Sequence, residues 1–228
     1  MDVGVLEVEA LPDVAGARRV YGLGREVSDK DVAKVIFHHH GRSDAGRFLA
    51  PHLRRIVAVS LLRFRDECLT RALWSVEEEG SEATLIERLQ RHLSAVPGDL
   101  VVWDGGRDLA GLFRVRAMVT QRILSPPRML RLDRILGADA RSDMNRNDLA
   151  KRLGIPGEGI PADEVNWDVF RHEGMAPLLR RCASNAAATM KLWLAHGVAT
   201  GEITVDDHEL LLSQLDRLTD DVNATAIA

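Results

Sequence analysis

Two glutamates open the chemistry of this chain. Glu7-Val-Glu9 sits inside Val3-Gly-Val-Leu-Glu-Val-Glu-Ala-Leu11, a stretch that alternates well enough to be a strand. Residues two apart on a strand share a face, so both carboxylates can converge on one point. The alternative is a pair of solvated residues on an outer strand face. Other chemistry-bearing groups carry less. His38-His39-His40 has metal-binding residue types, but adjacent side chains cannot all aim at one ion, and a solvated loop is the better reading. Gly22-Leu-Gly24 and Gly105-Gly106 are too short for nucleotide fingerprints. Ser60 and Ser184 lack a triad context. Cys68 and Cys182 give neither a disulfide framework nor a metal cluster, which suits a reducing cytoplasm. Cys182 reads as a core residue rather than a nucleophile.

The elements that must position these groups come from an ordinary globular composition. The chain has 228 residues, 46% hydrophobic and 28% charged, which fits one large domain and excludes a disordered chain. Aromatics are only 4%, so the core must be built from Leu, Val, Ile and Ala. No stretch approaches the roughly 18 apolar residues of a membrane span, and the opening MDVGVLEVEALPD has no signal-peptide pattern. A formal charge of -4 argues against wholesale electrostatic capture of nucleic acid. The charge is uneven, however. Arginines crowd the stretch from Arg107 to Arg152, whereas Glu202 to Asp221 holds seven acidic residues and one base, Arg217. A basic groove beside an acidic shield is one reading; two solvated faces is the more common outcome.

Periodicity supplies the order of elements. After Val3–Leu11, Pro12-Asp13 breaks the strand, and Gly16 to Gly46 reads as a long loop with one short helix. Arg55–Phe64 is long and β-rich, and Cys68–Val76 fits a hairpin partner. Ser81 can cap a helix that places Leu85, Ile86, Leu89 and Leu93 on one face. Leu100–Trp103 is a short buried-type strand. Helices follow at Leu109–Ile123, Asn147–Leu153, Asp163–His172, Pro177–His196 and Asp206–Val222. Hairpin-linked strands followed by a crossover strand predict a mixed α/β sheet covered by helices. This is the ribonuclease H-like arrangement, with three antiparallel strands, Leu100–Trp103 parallel to the first, and helices on both faces.

Several stretches, in order and at matching spacing, resemble the predicted 3′–5′ exonucleases related to the proofreading domain of family B DNA polymerases, members of the DEDD exonucleases. Phe48-Leu-Ala-Pro-His-Leu-Arg-Arg-Ile-Val-Ala-Val-Ser60 is similar to the family's Phe-Leu-Pro stretch running into an Arg-Val-Val-Ala-Ile-Ser strand. Leu153-Gly-Ile-Pro-Gly157 is similar to its Leu-Gly-Ile-Pro-Gly-Lys loop, with Glu158 in place of Lys. Arg116-Ala117 keeps an Arg-Ala pair after the second motif. The resemblance spans about Leu6 to Thr204. It divides the chain into an exonuclease-like domain, residues 1–204, and an acidic helix and tail, residues 205–228.

The family uses two divalent cations held by four carboxylates to hydrolyse phosphodiesters. Its first motif, Asp-x-Glu-Thr with a following Pro-Asp, aligns on Pro12-Asp13. Glu9 then keeps the family carboxylate and Glu7 replaces the aspartate. In the second motif, Trp103-Asp-Gly-Gly-Arg-Asp-Leu-Ala-Gly111 puts Leu109 at the aspartate position. Asp108 is adjacent but points about 100° away on a helix; a one-residue slip would make it a substitute. In the third, Arg181-Cys-Ala-Ser-Asn-Ala186 replaces the water-orienting tyrosine by Arg181 and the aspartate by Asn185. One ligand position is kept, one stretched, and two lose their charge. The resemblance therefore implies a degenerate exonuclease that acts as a nucleic-acid-binding or protein-interaction module, with any remaining metal site at Glu7 and Glu9. No tightly bound cofactor is expected. The alternative is a divergent but active Mg²⁺- or Mn²⁺-dependent 3′–5′ exonuclease recruiting Asp104, Asp108 or Asp133. Asp133 and Asp139 read more readily as loop or cap residues. Arg107, Arg114 and Arg181 are the cations expected to face a single-stranded nucleic-acid end. Leu211, Leu215, Leu218 and Val222 form a stripe on the 206–222 helix that either docks on its own domain or pairs with a second copy as a homodimer.

Overall fold

A computed structural model describes residues 2–40, 48–96, 98–137, 145–156 and 159–225, with side chains described through Leu218. Five strands, β1 (Val3–Pro12), β2 (Arg54–Arg65), β3 (Cys68–Ser75), β4 (Asp99–Val102) and β5 (Met129–Arg131), form one sheet in the order β3-β2-β1-β4-β5. β1 pairs antiparallel with β2 and β2 with β3; β4 runs parallel to β1, and β5 to β4. The α/β class, the antiparallel trio and the parallel crossover strand are those expected of the ribonuclease H-like arrangement. The hairpin between β2 and β3 turns in two residues, Asp66 (φ 50°) and Glu67 (φ 61°). Positive φ at both central positions is the twist that matches a right-handed strand pair.

The helices are α1 (Val14–Tyr21), α2 (Asp29–His40), α3 (Val76–Glu79), α4 (Glu82–Leu93), α5 (Leu109–Thr120), α6 (Leu132–Ile135), α7 (Arg146–Arg152), α8 (Asp163–Glu173), α9 (Ala176–Thr200) and α10 (Val205–Thr225). Alternation along β1 divides the core. Leu6, Val8 and Ala10 pack with Leu85, Ile86 and Leu89 of α4 and Leu112 and Phe113 of α5. Val3 and Val5 pack on the other face, with Ala186, Met190 and Leu194 of α9 and Leu211 and Leu215 of α10. Glu7 and Glu9 share the α9 face by that same alternation. Ser81 caps α4 through Thr84 N, and Leu85, Ile86, Leu89 and Leu93 are its buried stripe, as the spacing predicts.

Three expectations change. Gly16 to Gly46 is not a long loop with one short helix: α1 and α2 occupy most of its described part. Asp13 Oδ1 accepts from Gly16 N at 2.8 Å to start α1. Ala17, Val32 and Ile36 then bury against Leu49 and Leu53, so tertiary packing overrides a weak local pattern. His38-His39-His40 accordingly ends a helix, where His39 stacks on Tyr21. β5 is an additional strand, too short at three residues to show a period. Asp139, Gly157 and Glu158 lie outside the described residues.

α10 folds back on α9 and β3. Leu211 and Leu215 are buried in the chain's own core, with Leu212 and Leu218 partly buried beside them. Gln214 clasps the hairpin, accepting from Leu69 N at 2.8 Å and donating to Glu67 O at 2.9 Å. Gly197 permits the approach, since a Cβ there would fall 2.4 Å from Ile203. The stripe thus docks on its own domain at these positions; the side chain of Val222 lies outside those described. Among the described residues no helix is long and apolar enough to cross a membrane.

Candidate functional site

β1 carries Glu7 and Glu9 beneath α9, and both are buried rather than solvated, at 0% and 3% exposure. Each is met by cations of the chain itself. Glu7 Oε1 accepts from Arg107 Nη1 at 2.6 Å, and its Oε2 from Arg146 Nη1 at 3.2 Å. Glu9 Oε1 accepts from Arg181 Nε at 3.1 Å. Its Oε2 accepts from Asn166 Nδ2 at 3.0 Å and Arg181 Nη2 at 3.4 Å. Asn166 Oδ1 also takes a bond from Arg181.

Four separate elements deliver these partners. Arg107 leaves the turn after β4, where Gly105 (φ 56°) and Gly106 (φ 85°) adopt the left-handed backbone. It also donates to Asp104 O, Val8 O and Trp103 O. Arg146 begins α7, Asn166 lies on α8, and Arg181 on α9. Such satisfaction is what permits buried charge at all. Burial pushes the Glu9 carboxyl above the ordinary carboxylate value, against the pull of Arg181. Burial alone would lower Arg107, but Glu7, together with Glu9 and Asp104, offsets it and holds that guanidinium above its usual value. For Arg146, burial outweighs Glu7 and pulls the value down.

The remaining motif positions divide between this cluster and its rim. Leu109 is buried and lines a cavity of about 10 Å³ with Glu9, Arg107, Arg54, Asp163 and Asn166, room for roughly one water. Asp108 is exposed and caps α5 through Gly111 N at 3.0 Å, with φ at 51°. Asn185 is fully buried, and among the described residues neither of its side-chain polar atoms finds a hydrogen-bond partner. Cys182 is buried and its Sγ–H faces Glu7 O at 3.5 Å; burial raises its thiol well above the ordinary value, which fits a core role. Asp104 and Asp133 share Arg131, at 3.1 and 2.6 Å. Asp104 also caps Leu109 N at 2.7 Å. Among the described residues no group of three or more His, Cys, Asp or Glu is arranged to hold a metal ion. Of the cations expected to face a nucleic acid, Arg114 is exposed on α5. Arg107 and Arg181 are buried against the two glutamates.

A second cluster ties together two stretches that carry the family resemblance. Arg116 Nη1 donates to Asp13 Oδ2 at 2.8 Å and Nε to Glu82 Oε1 at 2.8 Å. Glu82 Oε1 also accepts from Ile56 N at 2.7 Å. The Pro-Asp turn and the Arg-Ala pair are thus in direct contact, 103 residues apart.

Sequence reading missed Arg146, Asn166, Asp163 and Arg54. Asp163 accepts from Leu49 N at 2.7 Å and lies 3.9 Å from buried Arg54. The available clue to Arg146 was charge: two missing carboxylates beside an arginine-rich stretch. Asn166 offers no comparable clue. No protein-family model, curated protein or solved structure matches this chain.

Proposed function

We propose that this chain is a degenerate DEDD-type exonuclease-like protein that binds a partner without hydrolysing phosphodiesters. One observation carries the reading: both remaining motif carboxylates are buried and already bonded to guanidinium groups, Glu7 to Arg107 and Arg146, Glu9 to Arg181. Two-metal hydrolysis needs carboxylates open to dications that clamp the attacking and leaving oxygens. Here three arginines converge on two carboxylates. A dication would have to displace cations tethered to three elements and face their repulsion at close range. Leu109 and Asn185 bring no compensating charge. Mg²⁺ and Mn²⁺ therefore have no tight site in this proposal.

The closed centre offers no binding face, so the exposed surface does, and of Arg107, Arg114 and Arg181 it carries Arg114, on α5. A single-stranded nucleic-acid end is the first partner to try, and its binding would be strongly salt-dependent. A cytoplasmic setting accords with Cys68 and Cys182, both free thiols. The experiment is digestion of 3′-labelled single-stranded DNA and RNA with Mn²⁺, with Glu9→Ala as control, alongside fluorescence anisotropy on the same oligonucleotides. The expected result is no Mn²⁺-dependent shortening. Shortening that disappears in Glu9→Ala overturns the proposal and establishes the divergent active nuclease. Absence of both shortening and binding turns the partner search to proteins.

A further inference from the structure

Of the nine large apolar side chains left exposed among the described residues, five fall in two places, and Val20, Ile135, Leu153 and Val165 lie apart. Met118, Val119 and Ile123, at 79%, 50% and 76% exposure, cluster at the end of α5 and the loop after it. A surface cleft of about 470 Å³ opens beside Ile123, lined in part by Arg91 and Arg122. Arg114, one turn before Met118, is also exposed. Glu87 pairs with Arg122 there, leaving the patch net positive. On the opposite face of the sheet, Val205 and Leu210 are 59% and 45% exposed at the start of α10. Their surroundings have the opposite sign: Asp206, Asp207 and Glu209 are all exposed, and no Lys or Arg occurs from Glu202 to Leu210.

One molecule cannot bring these patches together, because α5 packs on the Leu6–Val8 face of β1 and α10 on the Val3–Val5 face. Two molecules can. We propose that the chain associates head to tail, the acidic start of α10 in one copy seating on the basic, apolar end of α5 in the next. The contact joins different surfaces, so it generates a ring or an open chain rather than a two-fold dimer. Apolar contact supplies the adhesion, and the opposite charges steer and orient it. It is independent of whether the glutamate centre binds metal. It also differs from pairing through the α10 leucine stripe, whose Leu211 and Leu215 are covered within the chain.

Light scattering on the full chain, with two surface variants, decides the matter. The wild-type mass should rise with concentration into the tens of micromolar. Association should weaken at least about tenfold between roughly 0.05 and 0.5 M salt. Met118→Glu and Leu210→Arg should each be monomeric, with unchanged circular dichroism because both sites are exposed. Mixed in equal amounts, they should form a dimer and nothing larger, since each retains one intact patch. A monomeric wild type overturns the proposal. So does assembly that survives Met118→Glu but not Leu210→Arg, which marks a symmetric α10 contact. Assembly that survives Leu210→Arg but not Met118→Glu marks a symmetric α5 contact and overturns it equally, as does loss in both variants with no dimer on mixing.

Discussion

The chain holds two buried arginine–carboxylate clusters with opposite imbalances. Around Glu7 and Glu9, three arginines meet two carboxylates. Around Arg116, one arginine serves two carboxylates, Asp13 and Glu82. The second is a tie: it fastens the end of β1, the start of α4 and the middle of α5, and a guanidinium fork meets such a demand well. The first is a closed centre: both carboxylates of β1 are covered by guanidinium groups of the chain. The difference teaches that paired buried carboxylates keep a folded centre when counter-charges come from the elements that already surround them.

The comparison predicts unequal costs. Glu7→Ala leaves both Arg107 and Arg146 without that acceptor in a buried setting, and should destabilise by about 3–5 kcal/mol. Glu82→Ala leaves Arg116 still bonded to Asp13, and should cost about 1–3 kcal/mol. Urea unfolding of the two variants measures both. Equal losses would show that the two clusters are energetically alike and remove the distinction.

The two motif positions that lack charge should also respond differently to restoration. Leu109→Asp loses buried packing with Leu112 and Phe113 and adds a carboxylate to the small cavity where Glu9 and Asp163 already face Arg54 and Arg107. The lost packing should cost at least about 2 kcal/mol. Asn185→Asp adds a carboxylate near Arg146, which already donates to Asn185 O at 3.4 Å. It moves the three-to-two imbalance toward neutrality and should cost less than about 1 kcal/mol. Thermal melts at pH 7 decide the order, and an Asn185→Asp penalty as large as that of Leu109→Asp would refute this account of the charge balance.

Much of the fold was legible in the sequence because long, strongly patterned segments report themselves. β1, β2, β3 and β4 follow from alternation and β-rich runs, and the face of α4 from its leucine spacing. The shortfalls share a cause. α1 and α2 are held by Ala17 and Ile36 meeting Leu49 and Leu53, contacts between segments that no local window contains. Three-residue β5 is fixed by pairing to β4. At the glutamates, strand periodicity put Glu7 and Glu9 on one face; Asp108, expected on the helix beside Leu109, instead precedes it as the cap of α5 with a left-handed backbone. What the sequence did not display was the direction of the arginines. Arg107 and Arg181 look like phosphate-binding cations in one dimension, and only the folded chain aims them inward at carboxylates. Arg146 and Asn166 are 139 and 157 residues from their glutamates, beyond the reach of any spacing rule.

The smallest expected effect is in pH, and it separates the clusters once more. With one arginine for two carboxylates, burial pushes the Glu82 carboxyl above its ordinary 4.5, against the pull of Arg116 and with a further push from Asp13. A raised carboxylate binds its proton more readily in the folded chain than in the unfolded one. Its stabilising contribution is complete below 4.5 and is lost as pH rises through the folded value. Glu9 is raised by burial in the same sense, and Asp163 likewise above 3.8. Exposed Asp31 is drawn down by Ser28 and Lys34, so its opposite effect falls below 3.8. His92, pulled below its ordinary 6.5 by burial and by Arg63 and Arg88, acts in the opposite sense inside the same window. The carboxylates' part is therefore read as the difference in melting temperature between wild type and a variant without the carboxyl. That difference should favour pH 5 over pH 7, by about 2–4 °C for each 1 kcal/mol these groups carry. Glu82→Gln keeps the shape and removes the titration, so it should flatten part of that slope. Glu9→Gln should do the same only if burial prevails over Arg181 throughout the range. Melts of the three proteins at half-unit steps from pH 4.5 to 7.5 test this. A wild-type minus Glu82→Gln difference that rises toward neutrality would show that Arg116 holds the Glu82 carboxylate ionised despite burial.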